Sequence, residues 1–351
     1  MAFDEILTSH QTLYTTQHIN HMANISVIVV CLNEEFYIAK CIDSLLGQDY
    51  PKDLLEIIIV DGNSSDRTLE IAQSYTHSKP RVSVVVEHKL GTAAARNRGI
   101  REAHSELVAF IDGDCIAPSD WLSTLVSAYR EEKQSMSNVA GVGGRNVPPS
   151  GADNFLQGIE ISLNTYIGSF SSSQGRQFKK RRRVESLATL NVLYDKSVLL
   201  DIGLFDETLG SEGEDAELNF RLIKSGYELV FIPKSVVYHF LRSSPSSWFW
   251  NMFRYGKARA RLLKRHRQMW NLKYVLPPLF GMIMVAVIFS PFNMAFLLPL
   301  IYFPLLFLYS IFIGIKQSAG RLFFYIYVTY ITEHFGYASG MIYGLTNRKV
   351  R

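Results

Sequence analysis

Two uncharged apolar runs constrain this chain more than any other feature of its sequence. Residues 274–292 and 294–315 contain no Asp, Glu, Lys or Arg, and Asn293 alone separates them. A helix of roughly 20 apolar residues is long enough to cross the hydrocarbon core of a bilayer. The two runs therefore predict a transmembrane helical hairpin over residues 274–315, in preference to buried helices of a soluble bundle.

Basic residues on both sides of the hairpin predict its orientation. They are Arg261, Lys264, Arg265 and Arg267 before it, and Lys316 and Arg321 after it. Positive residues favour the cytoplasmic side of a membrane. Residues 1–22 are polar and lack the apolar run of a signal peptide. We therefore expect a multi-pass cell-membrane protein whose remaining domain, residues 23–243, lies in the cytoplasm.

Residues 244–273 predict an amphipathic helix in the plane of the lipid headgroups. Trp248, Met252, Gly256, Ala260 and Leu263 recur at helical spacing, and Lys and Arg occupy much of the remaining surface. Large apolar side chains on one face and basic residues on the other are typical of interfacial helices. The alternative is a core helix with a solvated basic face.

The last part of the chain, residues 316–351, combines an apolar run with a basic tail. The run covers residues 322–345, but Glu333 and His334 lie in its middle. A charge at the centre of a bilayer costs about 2.5–3.5 kcal/mol on insertion scales. We therefore expect an interfacial or tilted helix here and not a third complete span.

The segment before these helices has the pattern of an α/β domain. Short apolar runs at 25–30, 56–60, 82–86 and 107–111 alternate with helical patterns at 35–46, 66–75, 92–103 and 119–129. This alternation indicates β-α-β units and a mostly parallel central sheet. Ligands of such sheets bind beyond the carboxyl ends of the strands.

Several other classes of protein are excluded. The first strand–helix turn has no G-x-G-x-x-G motif, and the chain has no P-loop. The Gly141-Val142-Gly143-Gly144 run is interpreted as a bend between strands. A net charge of +4 with clustered basic residues does not indicate a nucleic-acid partner, and three unevenly spaced cysteines do not indicate a zinc site.

Carboxylates follow the predicted strands. Asp112-Gly113-Asp114 comes directly after the fourth strand, while Asn33 to Glu35 and Asp61 to Asp66 follow the first and second. Two carboxylates one residue apart around a glycine are suited to hold Mg²⁺ or Mn²⁺ while the cation binds a diphosphate. A divalent-metal site is therefore expected at this edge of the sheet.

These motifs, in this order, resemble the family 2 glycosyltransferases, which are inverting enzymes with the GT-A fold. The layout also resembles the membrane-bound branch that contains cellulose-synthase-like and lipid-linked-sugar enzymes. The matching elements are 30–35, 60–68, 91–99 with Ala95-Arg96-Asn97, Asp112-Gly113-Asp114, Asn191, Gly203-Leu204-Phe205-Asp206 and Gly213-Glu214-Asp215.

The resemblance implies roles for individual residues. Asp215, with Glu214, would be catalytic, and Asp112, Asp114 and His239 would bind the metal. The nucleotide-binding residues would be Asn33, Glu35, Asp61, Asn63, Arg96 and Asp112. The residues near the acceptor or the diphosphate would be Asn191, Asp206 and Arg254. Arg96 has the alternative of a helix-surface arginine, and His239 that of a core histidine.

A carboxylate base at Asp215 suits a single displacement by a hydroxyl group. Asp215 would remove the proton of the acceptor hydroxyl as the oxygen attacks the anomeric carbon. A lipid phosphate is already ionised, so a base favours a sugar hydroxyl on a lipid carrier. Asn251 and Tyr255 replace the Gln and Trp of the Q-x-x-R-W motif of polymer synthases. The expectation is therefore non-processive transfer of one sugar.

The expected partners are a nucleotide-sugar donor, a polyprenol- or dolichol-linked acceptor and membrane lipids, as in the assembly of glycan or N-glycan precursors. GDP-mannose is the first donor expected, with UDP-glucose and UDP-N-acetyl sugars as alternatives. A polyprenyl-phosphate sugar synthase and a non-catalytic membrane scaffold are the competing functions. Residues 168–183, rich in Ser and Gly and then basic, are interpreted as a mobile loop.

Overall fold

The apolar runs of the α/β domain form the strands of one mixed sheet. The computed structural model describes residues 23–169, 176, 178–241 and 244–347. The polar segment 1–22 and the basic tail from residue 348 lie outside the described residues, as do residues 170–175 and 177 of the predicted loop. The strands are β1 Ile25–Cys31, β2 Leu55–Asp61, β3 Arg81–Val86, β4 Leu107–Asp112, β5 Cys115–Ile116, β6 Val139–Val147, β7 Arg182–Val184, β8 Val192–Asp195 and β9 Glu228–His239.

The order of the strands confirms the predicted α/β architecture. The sheet runs β3-β2-β1-β4-β8-β6-β9-β5, and β7 pairs with β9. The four predicted strands, β1 to β4, pair in parallel. In the second half, β8 is antiparallel to both β4 and β6, whereas β6 and β9 are parallel. The sheet is therefore mixed, with its parallel half where the sequence predicted it.

Helices cover both faces of the sheet. They are α1 Ile38–Leu46, α2 Thr68–Gln73, α3 Thr92–Glu102, α4 Trp121–Ser135, α5 Asn154–Leu163, α6 Tyr166–Ser169, α7 Lys196–Asp201 and α8 Glu214–Lys224. Val27 and Val29 of β1 pack with α1 and α4, while Ile28 between them packs with α3 and α8. Because successive side chains of a strand point to opposite faces, one apolar run serves two hydrophobic layers.

The glycine run at 141–144 lies inside β6, so its interpretation as a bend between strands is wrong. A Cβ at Gly144 would lie 2.1 Å from the carbonyl oxygen of Ser235, and one at Gly143 would lie 2.6 Å from that of Asn191. These glycines therefore let the backbone of neighbouring segments approach β6. The sequence could not distinguish the two interpretations, because glycine is typical both of bends and of strand positions that another backbone approaches closely.

Four further α-helices follow the sheet: α9 Pro245–Arg265, α10 Leu276–Val285, α11 Tyr302–Lys316 and α12 Phe323–Thr346. The apolar stripe of α9 is buried, and the backbone of α12 lies directly against this helix. A Cβ at Gly340 would be 2.0 Å from the carbonyl oxygen of Phe253. The stripe predicted to face the headgroups thus packs against protein, as a core helix with a basic solvated face would.

Two helical stretches among the described residues are long and apolar enough to cross a membrane. They are Leu272–Phe289 and Met294–Lys316, and most of their side chains are not buried by the rest of the chain. α12 does not belong to this pair. It packs against α5, where the Ser162 hydroxyl donates a hydrogen bond of 2.9 Å to the buried Glu333 carboxylate. The expectation that residues 322–345 are not a third span stays a prediction.

Candidate active site

The loops after β1 and β2 hold each other at the carboxyl edge of the sheet. Asn33 donates its backbone N–H to the Ser64 hydroxyl at 2.9 Å, and its Oδ1 accepts the N–H of Ser65 at 2.8 Å. Asn33 and Asn63 have positive φ values of 57° and 67°. Asn tolerates this left-handed conformation better than most residues. Asn33 therefore shapes the edge of the site through contacts between the two loops.

Two predicted nucleotide-binding carboxylates lie on the same pair of loops. Asp61 is fully buried at the end of β2 and accepts the N–H of Ser64 at 2.8 Å. Glu35 accepts the N–H of Arg67 at 3.2 Å, and the Asn63 side chain is exposed. The structure thus brings Asn33, Glu35, Asp61 and Asn63 together. Their contact with a nucleotide stays a prediction.

Asp114 and His239 form a pair beside β5. The strand pairing sets Cys115 opposite His239, and His239 Nε2 lies 3.1 Å from Asp114 Oδ2. Burial acts to raise the pKa of Asp114, but the hydrogen bond and charge of His239 outweigh it, and the pKa is lowered. Burial likewise opposes a charge on His239, yet Asp114 raises its pKa. His239 is therefore not an isolated core histidine.

The donor set at this pair fits a divalent cation. Ligand atoms of Asp114, Cys115 and His239 all lie within 4.8 Å of one another. Carboxylate oxygen and imidazole nitrogen are suitable ligands for Mn²⁺. Burial raises the pKa of the Cys115 thiol well above its usual value, and soft thiolate ligands suit Mn²⁺ or Mg²⁺ less well than carboxylate oxygen does. Asp114 and His239 are therefore the stronger candidates.

Arg96 is buried and is not a helix-surface arginine, while its contact with a nucleotide or diphosphate stays a prediction. It is 3% exposed, and it donates to Glu214 Oε1 at 2.5 Å and to Asp112 Oδ1 at 3.2 Å. Burial raises the pKa of both carboxylates, and the guanidinium opposes that rise. Arg96 thus bridges a predicted metal ligand to Glu214 at the start of α8, and a catalytic role of Glu214 stays a prediction.

Asp215 lies at the start of α8, next to the bridge. Gly213, with a φ of 84°, caps the helix in a left-handed conformation. Asp215 is half-buried, and its Oδ1 accepts the N–H of Ala216 at 2.6 Å. Its charge acts on Tyr194 of β8 and on Tyr255 of α9. Asp215 is thus placed between the sheet and the first of the C-terminal helices.

The three residues expected near the acceptor or the diphosphate lie in three different parts of the fold. Asn191 is buried, accepts from Trp121 Nε1 at 2.9 Å and donates to the Arg145 carbonyl at 2.9 Å, so it links α4 to β6, and its contact with a ligand stays a prediction. Asp206 caps a short turn and pairs with Arg265 of α9. Arg254 is exposed on α9 and hydrogen-bonds Asn251.

Sequence reasoning placed Arg254 of α9 at the site but missed how closely this helix approaches α8. Lys257 Nζ lies 2.8 Å from Glu212 Oε2. A Cβ at Gly213 would lie 3.2 Å from the Cβ of Ala258. Tyr255 and Arg259 are four residues apart and share one helix face, a spacing visible in the sequence. The contact of this helix with α8, in contrast, is visible only in the three-dimensional structure.

Comparisons with known proteins agree with this geometry. The model of "Glycosyl transferase family 2" matches residues 26–202. Glycosyltransferase AglE of Haloferax volcanii is 31% identical over 252 residues, which are 71% of this chain and 74% of that protein. A dolichyl N-acetyl-alpha-D-glucosaminyl phosphate 3-beta-D-2,3-diacetamido-2,3-dideoxy-beta-D-glucuronosyltransferase of Methanococcus voltae is 26% identical over 76% of this chain and 81% of that protein.

A solved structure extends the likeness to the whole fold. The mannosyltransferase PcManGT from Pyrobaculum calidifontis, in complex with GDP-Man and Mn²⁺, matches with a TM-score of 0.62 over 89% of this chain and 87% of that one. Its sequence identity is 18%, so the match supports the GT-A fold and not a shared substrate. Motifs, sheet topology and sequence similarity agree, and this chain belongs to glycosyl transferase family 2.

Proposed function

We propose that this glycosyltransferase is a membrane-associated enzyme that transfers one sugar from a nucleotide-sugar to a lipid-linked acceptor, with a divalent metal. The observation that carries the proposal is the arrangement at the carboxyl edge of the sheet. The Asp114–His239 pair lies at one end and Asp215 at the other, and the Asp112–Arg96–Glu214 bridge joins them.

The acceptor is proposed from two independent supports. The relative from Methanococcus voltae is named for transfer to an N-acetylglucosaminyl phosphate of dolichol, so its acceptor is a sugar that is already attached to a lipid. Two stretches apolar enough to cross a membrane follow directly after α9, which packs on the active-site helix α8. A lipid-linked sugar hydroxyl also explains the need for a carboxylate base at Asp215.

Asp215 is proposed to accept the proton of the acceptor hydroxyl. The hydroxyl oxygen then forms a bond to the anomeric carbon of the donor sugar, and the bond from that carbon to the diphosphate breaks with inversion. When bound by Asp114 and His239, a divalent cation supplies positive charge for the leaving diphosphate. Arg96 forms ion pairs with both Asp112 and Glu214, so it fixes the distance between the metal-binding end of the site and the segment that carries Asp215.

Mannose is the first donor sugar that we propose. The structure that binds GDP-Man and Mn²⁺ is similar in fold, but the relative from Methanococcus voltae is named for a uronic sugar. UDP-linked glucose, N-acetyl sugars and uronic acids therefore belong in the same comparison. Measurement of sugar transfer from each member of such a panel identifies the donor.

The proposal is tested by nucleoside diphosphate release and sugar transfer from the detergent-purified full chain, with and without Mn²⁺ or Mg²⁺, using GDP- and UDP-sugars and native lipid extract. We expect metal-dependent transfer from one donor. Asp215→Asn should reduce transfer by about 10²–10⁴-fold, the range of general base catalysis. Asp114→Asn should weaken the metal dependence.

Asp201→Asn, which changes an exposed carboxylate at the end of α7, is the matched control and should be as active as the wild type. Full transfer by Asp215→Asn would show that the base is another group. No transfer by the wild type from any donor in the panel would contradict the proposed function and favour a non-catalytic scaffold.

A further inference from the structure

The basic face of α9 contacts the segment that carries the proposed base. This segment, residues 206–217, begins at Asp206 and ends in the first turn of α8. Arg261 Nη2 donates to the Thr208 carbonyl at 2.7 Å, and Arg265 forms an ion pair with Asp206. Arg265 Nη1 also donates to the Thr208 hydroxyl at 2.8 Å. Two basic residues that the sequence pattern places at the lipid headgroups are therefore bound within the protein.

Two more contacts of this helix lie on either side of Asp215 in the chain. Lys257 Nζ lies 2.8 Å from Glu212 Oε2, shortly before the proposed base. His266, which caps the C-terminus of α9, has its Nε2 atom 3.1 Å from Glu217 Oε1, shortly after that base. Asp215 thus lies between two points at which the tail holds the 206–217 segment.

The other side of the 206–217 segment is held by α3. The Gly210 carbonyl accepts the N–H of Ala93 at 3.1 Å, and Glu207 Oε1 accepts a hydrogen bond from Asn97 Nδ2 at 2.9 Å. The segment is therefore fixed between a helix of the sheet domain and the first helix of the tail. Loss of the contacts with α9 would free one of its two sides.

The contacts with α9 are partly sheltered from solvent. The side chains of Arg265 and Asp206 are 37% and 16% exposed, and those of Lys257 and Glu212 are 29% and 23% exposed. Salt screens partly buried ion pairs less than exposed ones. A base must also be held in its productive geometry, because a displacement of about 1 Å can cost about 10²-fold in rate. These contacts are therefore suited to hold the proposed base in position.

We propose that Arg261 and Arg265 are positioning residues for Asp215, which they hold in place through the 206–217 segment. This inference rests on the proposed function of Asp215 as the base. The first apolar stretch long enough to cross a membrane begins at Leu272, shortly after α9. The helical tail thus supports the catalytic geometry in addition to holding the enzyme at a membrane.

The test compares Arg265→Gln, Arg265→Lys and Arg261→Gln in the full chain, with the donor and lipid extract that support wild-type transfer. Each Gln variant should lower kcat by about 10-fold, and the double variant by about 100-fold, because the base loses its alignment. The donor KM should not change, since the predicted nucleotide-binding loops follow β1 and β2. Arg265→Lys keeps a positive partner for Asp206 and should recover part of the rate.

Amide hydrogen exchange gives a second readout that needs no donor. Exchange of residues 206–217 should rise in Arg265→Gln, while exchange of β1 to β4 stays at the wild-type rate, because local opening does not require global unfolding. Arg267→Gln is the matched control, since it removes an exposed positive charge from the turn that follows α9. This control should change neither the exchange nor kcat.

Proteoliposomes distinguish the positioning role from lipid binding. In phosphatidylcholine alone and in its mixture with phosphatidylglycerol, Arg265→Gln should lower kcat by the same factor. A loss of rate confined to the anionic mixture would overturn the inference and make Arg265 a lipid contact.

Other outcomes would also overturn the inference. Wild-type exchange of residues 206–217 in both Gln variants would show that α9 does not hold this segment, and a wild-type kcat in the double variant would show that the contacts do not position the base. Faster exchange throughout the sheet with a raised donor KM would assign the arginines a structural role alone. An inactive wild type would contradict the proposed function itself, and the positioning role with it.

Discussion

At the scale of single residues, each carboxylate of the site is distinguished by the basic side chain that it contacts. Asp114 faces His239, and Asp112 and Glu214 share Arg96. Asp215 follows Glu214 at the start of α8, and its Oδ1 accepts the N–H of Ala216. Carboxylates that the sequence pattern places at one edge of the sheet therefore have different partners in the fold. The carboxylates could be identified from the sequence, but the basic residue that pairs with each of them could not.

We predict that Arg96→Gln destabilises the protein by about 3–5 kcal/mol, because removal of one partner leaves buried carboxylates without compensation. The measurement is thermal or denaturant unfolding in detergent, together with the Mn²⁺ dependence of transfer. Arg98→Gln, two residues away on α3 and exposed, should cost less than about 1 kcal/mol. Equal stabilities of the two variants would show that the bridge does not stabilise the fold.

At the scale of elements, the contact between α9 and α12 depends on glycine. Gly256 of α9 faces the backbone of Tyr337, and Gly336 and Gly340 of α12 face the backbones of Phe249 and Phe253. No side chain fits at these positions unless the helices move apart. Tyr337 lies within this contact, so the distance between the two helices also sets its reach to Arg259.

Gly340→Ala should separate α9 from α12 and lower stability by about 1–3 kcal/mol, the usual cost of overpacking. The midpoint of thermal unfolding in detergent measures this effect, and the transfer rate should fall with it. Gly320→Ala is the control, because a Cβ at Gly320 meets no atom within 4 Å. If both variants unfold at the same temperature as the wild type, the helices have room that the structure does not show.

At the scale of the whole molecule, the tail divides into two kinds of helix. α9 and α12 are packed against each other and against the sheet domain, with α12 contacting α5 at Ser162. The stretches Leu272–Phe289 and Met294–Lys316 instead leave most of their apolar side chains exposed. Exposed apolar surface of this extent indicates contact with lipid or another apolar partner.

We predict that Asn293 and Gln317 lie on opposite sides of a membrane. Asn293→Cys and Gln317→Cys would be treated with an impermeant maleimide in sealed inside-out vesicles. Gln317→Cys should react directly, and Asn293→Cys should react after the vesicles are permeabilised. The natural cysteines, Cys31, Cys41 and Cys115, are buried and should give little background. Equal reaction of both variants in sealed vesicles would contradict the hairpin.

Much of the parallel half of the sheet could be predicted from sequence, and less of the antiparallel half. The runs that became β1 to β4 are continuous and apolar, since they are buried on both faces. β6 contains glycines that the sequence could not distinguish from a bend. Arg181 and Arg183, read as part of a mobile basic loop, pair with acidic residues of α4 and β9, and β7 begins at Arg182.

The sequence by itself determined the family, the positions of the four strands in the parallel half, the positions of the two uncharged runs and the identity of Asp114, His239 and Asp215 as candidates. These features depend on local pattern and on motif order, which are properties of the linear chain. The tertiary structure alone decided that Arg96 bridges Asp112 and Glu214 and that Asn191 links α4 to β6. Those roles depend on contacts between residues far apart in the chain, and burial and charge act through such contacts.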